Sequence, residues 1–157
     1  MSKSHESQDR EGILPFSVTL QVRDACMCLH LQRAARAVAR RFDEALRPHG
    51  LTNGQFSLLM SLNRPEAPLM RDVAAFLAMD RTSLTAMLKP LERRGLLRIE
   101  PDSQDRRGRR LILLDAGRAV LAAALPDWTR TEAEIEALPG LGDAQALRDA
   151  LRAASAS

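Results

Sequence analysis

The 157-residue chain has no tyrosine, one tryptophan and four phenylalanines, and only two cysteines and three histidines. Cys26 and Cys28 are two positions apart, so a disulfide scaffold is excluded and a reducing compartment fits. With His30 they offer one chain's worth of two metal ligands at best, too few for zinc, so no metal site and no cofactor are expected. None of the eight glycines falls in a phosphate loop or nucleophile elbow, and there is no Gly-x-Ser-x-Gly, which argues against an enzyme. The longest stretch without Asp, Glu, Lys or Arg is the 16 residues Pro48 to Asn63, and His49, Asn53 and Gln55 interrupt it. A membrane-spanning helix needs roughly 20 apolar residues, so none is expected. The polar, mixed-charge start from Met1 to Gly12 carries no secretory pattern, and a cytoplasmic location is the expectation.

What the chain does have is 45% hydrophobic and 27% charged residues, a globular balance in one domain-sized length. The spacing predicts an irregular arm over residues 1–19, then one long amphipathic helix over 20–47. In that helix Met27, Leu31, Ala34, Val38, Phe42 and Ala45 recur at steps of three and four, opposite Arg33, Arg36, Arg40 and Arg47. Pro48-His49-Gly50 ends it. Thr52 is the expected N-cap of a helix to Leu62, with Phe56, Leu59 and Met60 facing inward. A short helix from Met70 to Ala78 leads by a tight turn into another from Asp80, its cap, to Arg94, with Gly95 as the stop. Leu96–Glu100 and Arg110–Leu114 read as two strands joined by a basic, glycine-containing tip. After the hairpin, Asp115 is expected to cap a helix that Pro126 kinks or breaks before Trp128 to Leu138 continues, and Asp143–Ala154 is a last helix. The fold class is therefore mainly α with a small β element: a winged helix-turn-helix module over 48–115, flanked by an N-terminal helix over 20–47 and C-terminal helices over 116–157.

The charge is uneven. Arg81 to Arg110 holds nine basic residues against four acidic ones, a net +5 in a chain whose total is +3. A polyanionic partner is expected to meet that block. Within it, Leu84, Met87, Leu88 and Leu91 form an i, i+3, i+4, i+7 core stripe. The other side carries Thr82, Ser83, Thr85, Ala86, Lys89 and Arg93, small or hydroxylated residues that allow close approach and cations that reach guanine or phosphate. Such a stripe on an isolated helix is ordinarily just a solvated face. The short helix before it and the basic hairpin after it favour double-stranded DNA, with Arg106, Arg107 and Arg109 at the tip suited to a minor groove. Asp105 is expected to hold one of these arginines by an ion pair. The competing reading from another class is a winged helix that meets an acidic protein surface; clustered tip arginines suit phosphates better.

These segments resemble the MarR family of bacterial winged-helix regulators: Leu69-Met70-Arg71-Asp72-Val73-Ala74, Asp80-Arg81-Thr82-Ser83-Leu84-Thr85, Leu91-Glu92-Arg93-Arg94-Gly95-Leu96, Asp105-Arg106-Arg107 and Leu114-Asp115-Ala116-Gly117-Arg118. The similarity runs from about Cys26 to Leu125. It implies a homodimer built from the terminal helices, one winged helix per subunit on a pseudo-palindromic operator, and a repressor released by a small aromatic or phenolic effector or by oxidation. Three residues depart from the commonest pattern: Ala78 in the turn where glycine is common, Asp115 in place of a threonine cap, and Pro90 inside the recognition helix, where it removes a backbone donor and can bend the axis.

The resemblance places an effector cleft between the dimerisation helices and the winged helix, where His30, Arg33, His49, Phe56, Met60 and Trp128 are the candidate lining residues. For each, packing or a surface contact is the more ordinary role. Oxidation sensing through Cys26 or Cys28 is the alternative control. On one continuous helix the two thiols diverge and do not bridge, and the tyrosines that steady the thiolate in the family's peroxide sensors are missing, so buried, unreactive cysteines are the expectation.

Overall fold

The computed structural model describes residues 14–105 and 107–156. The order of elements is α1 (Phe16–Ala25), α2 (Met27–Leu46), a 3-10 turn (Arg47–His49), α3 (Asn53–Leu62), α4 (Met70–Phe76), α5 (Arg81–Arg93), β1 (Leu97–Pro101), β2 (Arg109–Leu113), α6 (Asp115–Glu136) and α7 (Ala144–Ser155). This is the mainly helical winged-helix class with a two-stranded antiparallel sheet. No helix among the described residues is long and apolar enough to cross a membrane.

The chain divides into two units, residues 1–38 and 39–157. The first contains α1 and the start of α2. Its helix begins at Phe16, so residues 16–19 are helical where an irregular arm over 1–19 is expected, and residues 1–13 of that span lie outside the described residues. Nor is there one continuous helix: Cys26 is extended, at φ −72° and ψ 102°. Neither proline nor glycine causes the break. Cys26 closes α1 with its N–H on Val22 O, then opens α2 by accepting from Leu29 N–H on Sγ (3.4 Å) and from His30 N–H on its carbonyl (3.2 Å). The apolar periodicity continues across the break, which is why spacing alone shows one helix.

The second unit holds the core, built on Phe42, Leu46, Leu58, Leu59, Leu62, Leu84, Leu88, Leu91, Leu97 and Leu111. Thr52 and Gln55 form a reciprocal capping box on α3. Of the three residues expected inside, Phe56 and Leu59 are buried, but Met60 is 40% exposed. Helix α4 ends at Phe76, two residues before the expected Ala78, because Ala78 takes the left-handed conformation (φ 50°) that turns the chain into α5. For a non-glycine residue that costs on the order of 1 kcal/mol. Gly95 (φ 68°) ends α5 as expected. The strands pair Leu97 with Leu113, Ile99 with Leu111 and Pro101 with Arg109, each shifted by one residue from the expected bounds.

At α6 the expected cap is not found and the expected break at Pro126 does not occur. Asp115 does not cap it. The cap position is Leu114, and Asp115 is the first helical residue, its carboxylate 3.6 Å from Arg118 Nε and favourably placed at the helix N-terminus. Pro126 does not break it either; α6 runs unbroken to Glu136. Leu121 and Ala124 before the proline, and Thr131 and Ile135 after it, are all buried, so packing on both sides holds the helix through one lost backbone bond. Likewise α5 passes through Pro90 to Arg93. Asp143 caps α7 through Ala146 N–H.

Candidate nucleic-acid interface

Helix α5 is held by its inner stripe, with Leu84, Leu88 and Leu91 fully buried and Met87 partly so. Its first turn is fixed by Asp80, which accepts from Ser83 N–H (2.8 Å) and Ser83 Oγ–H (2.6 Å). These bonds, the hydroxyl's foremost, keep the Asp80 carboxyl below the usual range. On the outer stripe Thr82, Ser83, Ala86, Lys89 and Arg93 are exposed and Thr85 is half-buried. Two hydroxyls have their protons committed: Ser83 to Asp80, and Thr85 to Arg81 O at 2.7 Å. Each therefore presents oxygen lone pairs outward, which suits a base-edge donor better than a phosphate.

The wing tip shares a cavity with Arg81, the first residue of α5. Arg107 and Arg109 are exposed; Arg106 lies outside the described residues. Asp105 accepts from the backbone N–H of Arg107 on Oδ1 (2.9 Å) and so shapes the turn. A pair between Asp105 and Arg106 falls outside the described residues, while Asp102 pairs with the wing's Arg110, its Oδ1 2.7 Å from Arg110 Nε. Sequence reasoning missed this pair; the signal for it was the hairpin register, which sets Arg109 and Arg110 opposite the residues just before Asp102. Arg110 holds the Asp102 carboxyl below its ordinary range. Between α4, the first residue of α5 and the wing lies a cavity of about 370 Å³. Leu69, Met70 and Ala74 are the apolar part of its lining, Arg71, Arg81, Arg107 and Arg109 the cations, and Asp102 and Asp105 the acids.

Of the candidate effector residues, the second unit gathers three. Phe56 and Phe42 stack on Trp128 from ring centroids 6.0 Å away in each case, with Phe56 itself buried. His49 Nε2 is 2.7 Å from Asp127 Oδ2, and Arg130 pairs with the other oxygen at 2.5 Å. His49 first, then Arg130, lower the Asp127 carboxyl. Met60 is exposed and joins none of these contacts. His30 and Arg33 belong to the first unit, where His30 Nε2 lies 3.1 Å from Asp24 O and Arg33 is exposed. The cysteines are not buried as expected: Cys26 is half-buried at the helix break and Cys28 is exposed. Among the described residues no cluster of His, Cys, Asp and Glu has the makings of a metal site.

A helix backed by buried leucines that presents a small, hydroxylated and cationic face, followed by a β-hairpin with a basic tip, is the winged helix-turn-helix arrangement. The family model described as MarR family matches residues 51–108, the module just described. HTH-type transcriptional regulator TtmR of Methylorubrum extorquens is 32% identical over 97 residues, 62% of this chain and 50% of TtmR; the chain spans about half the length of the curated relatives it matches. The M. tuberculosis transcriptional regulator MosR, solved in complex with DNA, is 37% identical, with 83% of this chain and 93% of MosR covered and a TM-score of 0.75. The transcriptional repressor CouR, solved bound to p-coumaroyl-CoA, is 30% identical, with 87% and 96% covered and a TM-score of 0.74. The chain belongs to the MarR family, whose model matches its winged helix.

Proposed function

We propose that the chain acts as a homodimeric repressor that lays α5 of each subunit in a major groove of a pseudo-palindromic operator and its wing tip in the adjacent minor groove, and that a small aromatic or phenolic effector releases it. The observation that carries the DNA geometry is the outward stripe Thr82 to Arg93 on α5 together with the exposed tip arginines Arg107 and Arg109, which line one cavity with Arg81 at the start of that helix. The dimer is supported by the apolar side chains that a single chain leaves in water, among them Val22, Leu125, Leu147 and Leu151. CouR, with its bound acyl-CoA, supports a small-molecule effector.

The decisive assay is fluorescence anisotropy against duplex from upstream of the protein's own gene and against a scrambled duplex, at low and high salt. Tight, salt-sensitive binding that prefers the upstream duplex is expected; equal binding to both would sink operator recognition at that site. In this assay Arg107→Ala is expected to weaken binding by roughly 1 to 3 kcal/mol with the dimer intact. Wild-type affinity in that variant removes Arg107 from the interface. Lys89→Ala and Thr85→Ala are expected to erode the preference for the upstream duplex more than binding to the scrambled one, whereas equal losses on both would make them backbone contacts.

A second reading, oxidation control, is favoured by one observation. Cys26 sits outside the helices with Sγ accepting from Leu29 N–H at the start of α2, and Cys28 is exposed two residues on. The divergence expected of two thiols on one continuous helix does not apply there. Peroxide that weakens operator binding in the wild type but not in Cys26→Ser or Cys28→Ser would favour this control over an aromatic effector.

A further inference from the structure

Arg110 follows Arg109 in the basic run, yet its guanidinium turns inward. Nε donates to Asp102 Oδ1 at 2.7 Å and Nη1 donates to Ala67 O, in the loop before α4, at 2.7 Å. The same end of β2 is stitched to that loop by Leu111 N–H on Pro68 O (3.0 Å) and by a bridge between Leu69 and Arg110. Asp102 is the anomaly of the tip. Its neighbours Ser103, Gln104 and Asp105 are exposed, but its own side chain is only 5% exposed. Its second oxygen accepts from Asp105 N–H (3.3 Å), its own N–H donates to Gly108 O (3.1 Å), and Gly108 N–H donates to Asp105 O (2.8 Å). A Cβ on Gly108 would stand 3.1 Å from both Asp102 Cβ and Asp105 O, so the turn closes tightly on this carboxylate. One ion pair thus connects the α3–α4 loop, the foot of β2 and the wing turn.

We propose that Asp102 and Arg110 form a strut that sets the height and direction of the wing tip, and that Arg110 is a positioning residue for the tip arginines and makes no DNA contact of its own. This rests on the reading above that the tip meets DNA. The strut holds the loop in its bound shape beforehand, so the ordering cost of that loop is not charged to binding. It also reverses an electrostatic expectation. Removing an acidic side chain beside a polyanion should strengthen binding by charge alone. Removing Asp102 is expected to weaken it.

The test uses the full chain and the upstream duplex over a series of salt concentrations, with amide hydrogen exchange of the free protein in parallel. Asp102→Ala is expected to bind roughly tenfold more weakly, although it carries one more unit of positive charge. Asp102→Asn, which keeps an oxygen for Arg110 Nε, is expected to recover most of that loss. Arg110→Ala should weaken binding to a similar degree with the slope of affinity against salt unchanged, and the double variant should be no worse than either single one. Faster exchange of the Asp105 and Gly108 amides should accompany both alanine variants. Equal or tighter binding by Asp102→Ala overturns the proposal, and so does a salt slope lowered by about one in Arg110→Ala, the mark of a direct phosphate contact. If Arg107→Ala binds like the wild type, the wing reading itself has failed, and the strut then stands or falls on amide exchange alone: unchanged exchange in Asp102→Ala refutes it. Should an alanine variant fail to fold, Asp102→Asn and Arg110→Gln carry the same comparisons, with smaller losses in the same direction expected and none overturning the strut.

Discussion

Gly117→Ala is expected to destabilise the protein by roughly 3 kcal/mol, at the upper end of what overpacking a well-filled site costs. Gly117 is buried in the first turn of α6. A Cβ there would lie 2.2 Å from the carbonyl oxygen of Leu96 and 2.7 Å from Leu113 Cδ1. The first contact is with backbone, and that carbonyl already accepts from Leu114 N–H at 3.1 Å, so it cannot swing aside without opening the junction between the end of α5, β1 and α6. Helix propensity argues the other way: alanine is better than glycine inside a helix by about 1 kcal/mol. The two effects have opposite signs, so thermal unfolding followed by circular dichroism separates them. A melting temperature lowered by about 10 °C is expected; one equal to or above that of the wild type would show that α6 packs less closely on the hairpin than described.

The second large effect concerns assembly. Removing residues 143–157, and with them α7, is expected to leave monomer or aggregate in sedimentation and to lower operator affinity by on the order of a hundredfold, because two half-sites then no longer bind as one unit. Leu147 and Leu151 lie one turn apart on α7 and remain exposed in a single chain, while Arg148 anchors the helix to α6 through Glu132 and Glu136. A gentler variant tests the same surface without removing backbone. Leu147→Glu with Leu151→Glu keeps the Arg148 anchor, so it should retain helical content and lose the dimer. A stable, fully active dimer from either variant would move the interface elsewhere.

Much of this protein could be read directly. The core stripe Leu84, Leu88 and Leu91, the caps Thr52 and Asp80, and the Gly95 stop are local signals: each depends on residues within one or two turns, and each appears where expected. The outer stripe of α5 follows from the inner one by helical arithmetic. The basic tip follows from two apolar strands that must pair around it.

What the sequence left open was decided by contacts distant along the chain. Pro126 looks like a helix breaker by every local rule, but burial on both sides of it, including the stack of Trp128 on Phe42 and Phe56, outweighs one missing bond. Cys26 looks helical by periodicity, yet its thiol and carbonyl bond to the next turn and divide the helix. Arg110 is indistinguishable from its neighbours in a run of arginines, and only the pairing of two strands against the loop before α4 turns it inward onto Asp102. Sequence determined most of the residues that face the core, Met60 excepted, and all of those that carry charge, because those properties are largely periodic and local. Tertiary structure decided which of the charged ones are spent inside the protein, because a salt bridge between residues 102 and 110, reaching back to residue 67, exists only once the hairpin has closed on the loop beneath it.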